Sequence, residues 1–157
     1  MEDNPVAVMA LSELKSGLAP QGRLMGLDLG SKTIGLALSD VLRTIATPYD
    51  TIKRTKFTAD AQALLSFIDT EEVRGLVIGL PISMDGSEGP RCQSTRQFAT
   101  NFLEKREIPI AFWDERLSTV AVERMLIDNV DMTRQRRGQV VDKLAAAYIL
   151  QGALDAR

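Results

Sequence analysis

The sequence predicts an α/β domain on one mixed sheet, antiparallel at its start and parallel afterwards. Three observations carry this. Apolar runs at 24–29 and 34–39 flank the polar turn "GSKT" and read as a β-hairpin. "GLVIGLPI", 75–82, is a continuous apolar run of the kind covered on both faces. Segments of helical period then alternate with strands, giving the order β-β-β-α-β-α-β-α-α. At 157 residues, 45% hydrophobic and 25% charged, the chain has the size and balance of one domain with a substantial core.

Residues 1–22 mix Pro5, Gly17, Pro20 and Gly22 with a short apolar stretch. They predict a loosely ordered leader with about one turn of helix, ahead of a domain spanning 23–157. After the hairpin, a third strand is expected near 49–52. "TADAQALLSFID", 58–69, spaces Ala61, Leu64, Leu65 and Ile68 on one helical face, with Thr58 as N-cap. The polar loop "SMDGSEGPR", 83–91, follows the 75–82 strand and precedes a helix over 93–105. "IPIAFWDE", 108–115, reads as the fifth strand. Ser118 or Thr119 caps a helix containing Val122, Met125 and Leu126. A basic stretch, 133–138, then leads into a last helix over 140–154.

Composition excludes several chemistries. With no histidine there is no Ser-His-Asp or Cys-His nucleophile, no imidazole base and no imidazole metal ligand. One cysteine, Cys92, excludes an internal disulfide and zinc sites built on paired cysteines. No apolar run approaches the roughly 20 residues of a membrane-spanning helix. Glu2 and Asp3 stand where an export signal carries basic residues, so a cytoplasmic protein without membrane attachment is expected. A net charge of −2 argues against a non-specific nucleic-acid coat, but it leaves room for a basic rim around an acidic site.

Three acids from distant segments stand out. Asp28 lies inside an apolar strand, and burying a carboxylate costs several kcal/mol, on the order of 20 in the idealised limit, unless something pairs with it. It either caps a turn or pairs with Lys32 or Arg23, or it serves a ligand that Gly30 allows to approach closely. Asp114 and Glu115 end the fifth strand, where ligands collect in open α/β sheets. Alternation sends them to opposite faces, so one of the two reaches a site there, and an Arg116 ion pair is the structural alternative. Asp142, at the start of the last helix, shares a face with Ala145, Ala146 and Ile149. The helix dipole accounts for an acid in a first turn but not for one on the packing face. Together the three acids fit an oxygen cage for magnesium or manganese. Two such ions suit phosphodiester hydrolysis without histidine.

"GLDLGSKTIGLALSD", "VIGLPISMDGSEG", "DERLST" and "VDKLAAAYILQ" resemble, in order over residues 24–154, the four motifs of the YqgF family of Holliday-junction-resolvase-like nucleases, also described as pre-16S rRNA nucleases. The resemblance implies an RNase H-like fold: a five-stranded mixed sheet, its first three strands antiparallel, with helices on both faces. It also implies a metal-dependent nuclease of structured nucleic acid, acting on precursor rRNA or branched DNA, with ribosomal particles as further partners and the chain a monomer or homodimer. Asp28, Glu115 and Asp142 take the places of the catalytic, metal-holding acids, with two ions expected and Asp114 of second rank. Lys32, Asp85, Gly86, Arg91, Arg116 and Ser118 fall on the substrate side. Lys32, Arg91 and Arg116 are candidate phosphate contacts, and Gly86 and Gly89 candidate backbone donors. Arg134, Arg136 and Arg137 form either a basic arm or a solvated surface. Thr33 and Ser83 depart from the arginine and asparagine usual in the family and bear on substrate contacts. Two other readings remain: a non-catalytic nucleic-acid or ribosome-binding factor on the same fold, and an actin-like phosphate loop in "DLGSKTIG", which needs two related domains that 157 residues do not supply.

Overall fold

The computed structural model describes residues 8–18, 21–117 and 134–156, with side chains described from 143 onward in the last segment. The elements are α1 (Leu11–Gly17), β1 (Arg23–Leu29), β2 (Thr33–Ser39), β3 (Ala46–Lys53), α2 (Phe57–Glu71), β4 (Val73–Leu80), α3 (Pro90–Lys105), β5 (Ile110–Asp114), a 3-10 turn (Glu115–Leu117) and α4 (Arg134–Asp155). The sheet runs β3-β2-β1-β4-β5. β1 pairs antiparallel with β2, and β2 with β3, while β4 is parallel to both β1 and β5. This is the mixed, five-stranded sheet with an antiparallel start that the sequence predicts.

β1 and β4 are its central strands, and both are buried on both faces because each face carries a helical layer. On one face, Ala61, Leu64 and Ile68 of α2 and Phe98, Ala99 and Phe102 of α3 pack against Met25, Leu27, Leu76 and Ile78. On the other, Ala145, Ala146, Ile149 and Leu150 of α4 and Leu14 of α1 meet Leu24, Val77 and Ala111. Gly26 brings α4 close to the sheet: a Cβ there would lie 2.8 Å from the Ala146 carbonyl oxygen and 2.8 Å from Leu150 Cβ.

Three local expectations differ. The described part of the N-terminal segment is docked rather than loose. Val8 bridges Ile110, Leu14 is 1% exposed, and the Lys15 ammonium donates to the carbonyls of Ala153, Leu154 and Ala156 at 2.6–3.2 Å. Leu14, with Met9, Leu11 and Leu18 packed on the same cluster, and one cation at a helix C-terminus hold this short piece. Thr58 does not cap α2: the N-cap is Lys56, and the chain before it is tied by the Thr55 N–H donating to Asp60 Oδ1 at 3.0 Å. The last helix begins at Arg134 rather than Val140, because the arginines and glutamines of 134–139 are good helix formers and Gly138 alone does not break them. Asp142 therefore sits in the third turn, beyond reach of the helix-terminal dipole. The helix expected around Val122, Met125 and Leu126 lies outside the described residues.

Candidate functional site

Asp28 is 2% exposed on β1. It shares a face with Leu24 and Gly26, which is the α4 side of the sheet. Its neighbour on β2 is Gly35. On the other side Leu27 pairs with Ile78, so the next residue of β4 beside Asp28 is Gly79. The carboxylate thus stands between two strands that present no side chain at its level. From the 3-10 turn after β5, Glu115 reaches into this gap: its Oε2 lies 2.9 Å from where a Cβ on Gly79 would be, and Ile149 Cδ1 of α4 lies 2.4 Å from the same point. Asp28 and the Glu115 carboxylate are thereby brought to one face of the sheet, on either side of the Gly79 position.

Which of the adjacent acids enters the site follows from parity. Trp113 faces α4, packing where a Cβ on Gly152 would be, so Asp114 turns to the opposite side. There it is held by Arg116, whose Nη2 donates to Asp114 Oδ2 at 2.7 Å and whose Nε is 3.1 Å from both oxygens. That guanidinium holds the Asp114 carboxyl below its ordinary range, against a smaller opposing effect of burial. Asp114 forms the ion pair named as the structural alternative, while Glu115 faces Gly79.

Asp142 lies one turn before Ala146, whose carbonyl faces Gly26, two residues from Asp28 on the same sheet face. Its side chain lies outside the described ones, as do Ser118 and the side chains of Arg134, Arg136 and Arg137. Among the described residues, no three acids or cysteines form a group able to hold a metal. The pair they do form offers only oxygen ligands in a glycine-lined gap, a donor set that fits a hard divalent cation.

The loop 83–89 arches beside the 3-10 turn, with Arg116 Nη1 lying 3.7 Å from where a Cβ on Gly86 would be. Gly86 has φ +90°, a conformation that favours glycine. Its N–H already donates to the Ser83 carbonyl at 2.8 Å, so it is not the free phosphate donor anticipated, while Gly89 is the N-cap of α3 and its carbonyl accepts from the N–H groups of Cys92 and Gln93. Asp85 accepts from Ser87 N–H and Oγ at 2.9 and 2.6 Å, which lowers its pKa together with the nearby Arg116 charge. Lys32 and Arg91 are exposed at the same C-terminal end of the sheet. One cation escaped the motif reading. Arg54, after β3, donates to the Gly30 carbonyl at 2.5 Å. No spacing rule signals it, because hairpin pairing brings it beside residues 24 positions away.

A family model described as "RuvX: Holliday junction resolvase" matches residues 22–156. A relative from Paramagnetospirillum magneticum, named "Putative pre-16S rRNA nuclease", is 64% identical over 150 residues and covers 96% of each chain. Another of the same name, from Rhodospirillum centenum, is 60% identical over 155 residues, covering 96% of this chain and 82% of that one. Among solved structures, Thermus thermophilus RuvC in complex with Holliday junction substrate is similar with a TM-score of 0.50 at 12% identity, covering 82% of this chain and 91% of that one. The last similarity bears on the fold, which is RNase H-like.

Proposed function

The chain belongs to the RuvX family, and on that premise we propose that it is a metal-dependent nuclease hydrolysing phosphodiester bonds in structured nucleic acid. The observation that carries this reading is the buried Asp28 beside Glu115 in a gap kept open by Gly35 and Gly79. The names of the relatives point to precursor 16S rRNA as the first substrate to test, in the cytoplasm, and the family description to four-way DNA junctions as the second.

Asp28, Glu115 and, by its motif, Asp142 are the residues that would hold one or two magnesium or manganese ions. Such ions, when bound, activate water and stabilise the leaving oxygen. The chain's own part is positional. Asp28 is fixed within a strand paired on both sides, so its carboxylate is presented without side-chain freedom being lost at the moment of reaction. Glu115, half-buried, would supply its carboxylate to the same ions from the turn after β5. Arg116, Lys32 and Arg91 offer cations for the phosphates around the cut. Arg116 does so with Nη1, since Nε and Nη2 are engaged by Asp114.

The test is cleavage of a precursor rRNA 5′-end fragment and a four-way DNA junction, side by side, with magnesium, manganese or EDTA. Cutting is expected with metal and none with EDTA. In Asp28→Asn it should fall by more than the roughly 10- to 100-fold typical of losing an outer-shell partner. Full activity of Asp28→Asn overturns the mechanism. Binding of either substrate without cleavage under any of these conditions favours a non-catalytic factor.

A further inference from the structure

We propose that a second cleft, on the α2–α3 side of the end of β1, binds a phosphate of the substrate strand adjacent to the carboxylate gap. The inference rests on the nuclease reading above and assigns that site a neighbouring anion subsite. The cleft has a volume of about 180 Å³ and lies between Gly30 and Ser31 of the β1–β2 turn, Arg54 beyond β3, and Arg91 and Ser94 of α3. Two arginines and three hydroxyl residues, Ser31, Ser94 and Thr95, line it, and among the described residues no carboxylate does.

The two arginines have different parts. Arg54 is fixed: it donates to the Gly30 carbonyl, lies 5.9 Å over the Phe98 ring, and has its Nε 3.9 Å from Oδ2 of the buried Asp60. Asp60 offsets part of its charge, so Arg54 acts as an oriented donor with N–H groups to spare. Arg91 is exposed and has no ion pair or side-chain hydrogen bond among the described residues, so its full charge is available. Exposed Lys32 adjoins Ser31 on the same turn. Fixed fork, free guanidinium and hydroxyls are the chemistry that recognises a phosphate.

Position makes it part of the same site. Asp28 and Leu29 are consecutive in β1 and face opposite sides of the sheet, with Leu29 among the walls of the cleft. A strand of nucleic acid crossing the C-terminal end of β1 meets the carboxylates on one side and the cleft on the other. The occupant is either an internal diester or a terminal 5′-monophosphate.

Binding in EDTA separates this from catalysis. The probe is the precursor rRNA 5′-end fragment, with a 5′-phosphate or a 5′-hydroxyl, read by fluorescence anisotropy across a salt series. The proteins are wild type, Arg91→Ala and Ser94→Glu. Both positions are exposed on α3, and thermal unfolding of each variant checks the fold. Both variants are expected to bind several-fold more weakly, with Arg91→Ala reducing the magnitude of the salt slope by about one. Weakening with both probes identifies a diester, and weakening confined to the phosphorylated probe identifies a terminal phosphate. Folded variants that bind as wild type, with an unchanged slope, overturn the subsite and leave the nuclease reading standing. Weakened binding by the variants of a wild type that never cleaves supports the subsite and overturns the nuclease. A wild type that binds neither probe overturns the subsite, and only if it also fails to cut the four-way junction is the nuclease reading overturned with it.

Discussion

Asp28 is tolerated inside a strand because the positions on either side of it are glycines, which leave an acid's oxygens room that larger neighbours would take. Gly79→Ala tests this. The new Cβ would lie 2.4 Å from Ile149 Cδ1 and 2.9 Å from Glu115 Oε2, so α4 or Glu115 must move. We expect a stability loss of about 1–3 kcal/mol in urea unfolding followed by Trp113 fluorescence, together with loss of cleavage. A variant that folds as wild type and cuts normally shows that the gap is not the reaction centre. Asp114 has the opposite character. Its folded pKa is depressed by Arg116, so the pair contributes stability above the unfolded value of 3.8 and loses it as pH falls through the lower, folded value. In Arg116→Ala, NMR titration should move the Asp114 carboxyl back up toward 3.8. An unmoved titration means that the guanidinium is not the cause.

Among the elements, α4 matters most, because it both covers one core and carries Asp142. Its approach depends on Gly26 facing the Ala146 carbonyl and on an alanine-rich surface. Gly26→Ala would force helix and sheet apart by a few tenths of an ångström or more. We expect about 1–3 kcal/mol of destabilisation and a drop in cleavage larger than the unfolded fraction explains, measured as specific activity per folded molecule. Activity that tracks folded protein alone would argue that the α4 position is merely structural. The far end of α4 is held by Lys15, whose ammonium donates to three carbonyls at the end of the helix. Lys15→Ala should lower stability by about 1–2 kcal/mol and speed proteolysis within 8–18. Unchanged cutting there would mean that the apolar contacts and the bridge to Ile110 anchor the segment without Lys15.

For the whole molecule, the net charge is −2, yet Lys32, Arg54, Arg91 and Arg116 all gather at the end of the sheet that holds Asp28 and Glu115. Binding is therefore local rather than a general coating. With about four phosphate contacts, a slope near −0.9 per contact makes affinity fall roughly 100-fold between about 50 and 200 mM salt. A loss near 10³-fold or more, measured in EDTA, would require cations beyond these four. Among the described residues no helix is long and apolar enough to cross a membrane.

Much of this was legible in the chain. Continuous apolar runs identified β1 and β4, since only strands covered on both faces need them. Helical spacing placed Ala145, Ala146 and Ile149 on a buried face, where they are 2%, 0% and 0% exposed. The lack of histidine and an acid within an apolar strand narrowed the chemistry to carboxylates, and four ordered motifs pointed to the family. Other features were decided only in three dimensions. Alternation sent Asp114 and Glu115 to opposite faces, but only the sheet register and the 3-10 turn put Glu115 beside Gly79 and Asp114 against Arg116. The N-terminal segment docks through a buried Leu14 and a helix end 138 residues away, a contact with no local signature. Arg54 joins Gly30 through hairpin pairing, and the Gly86 N–H is consumed by its own turn. Periodicity reports which way a side chain faces relative to its own element; which partners it meets there depends on how distant elements are brought together, and that is a property of the folded chain.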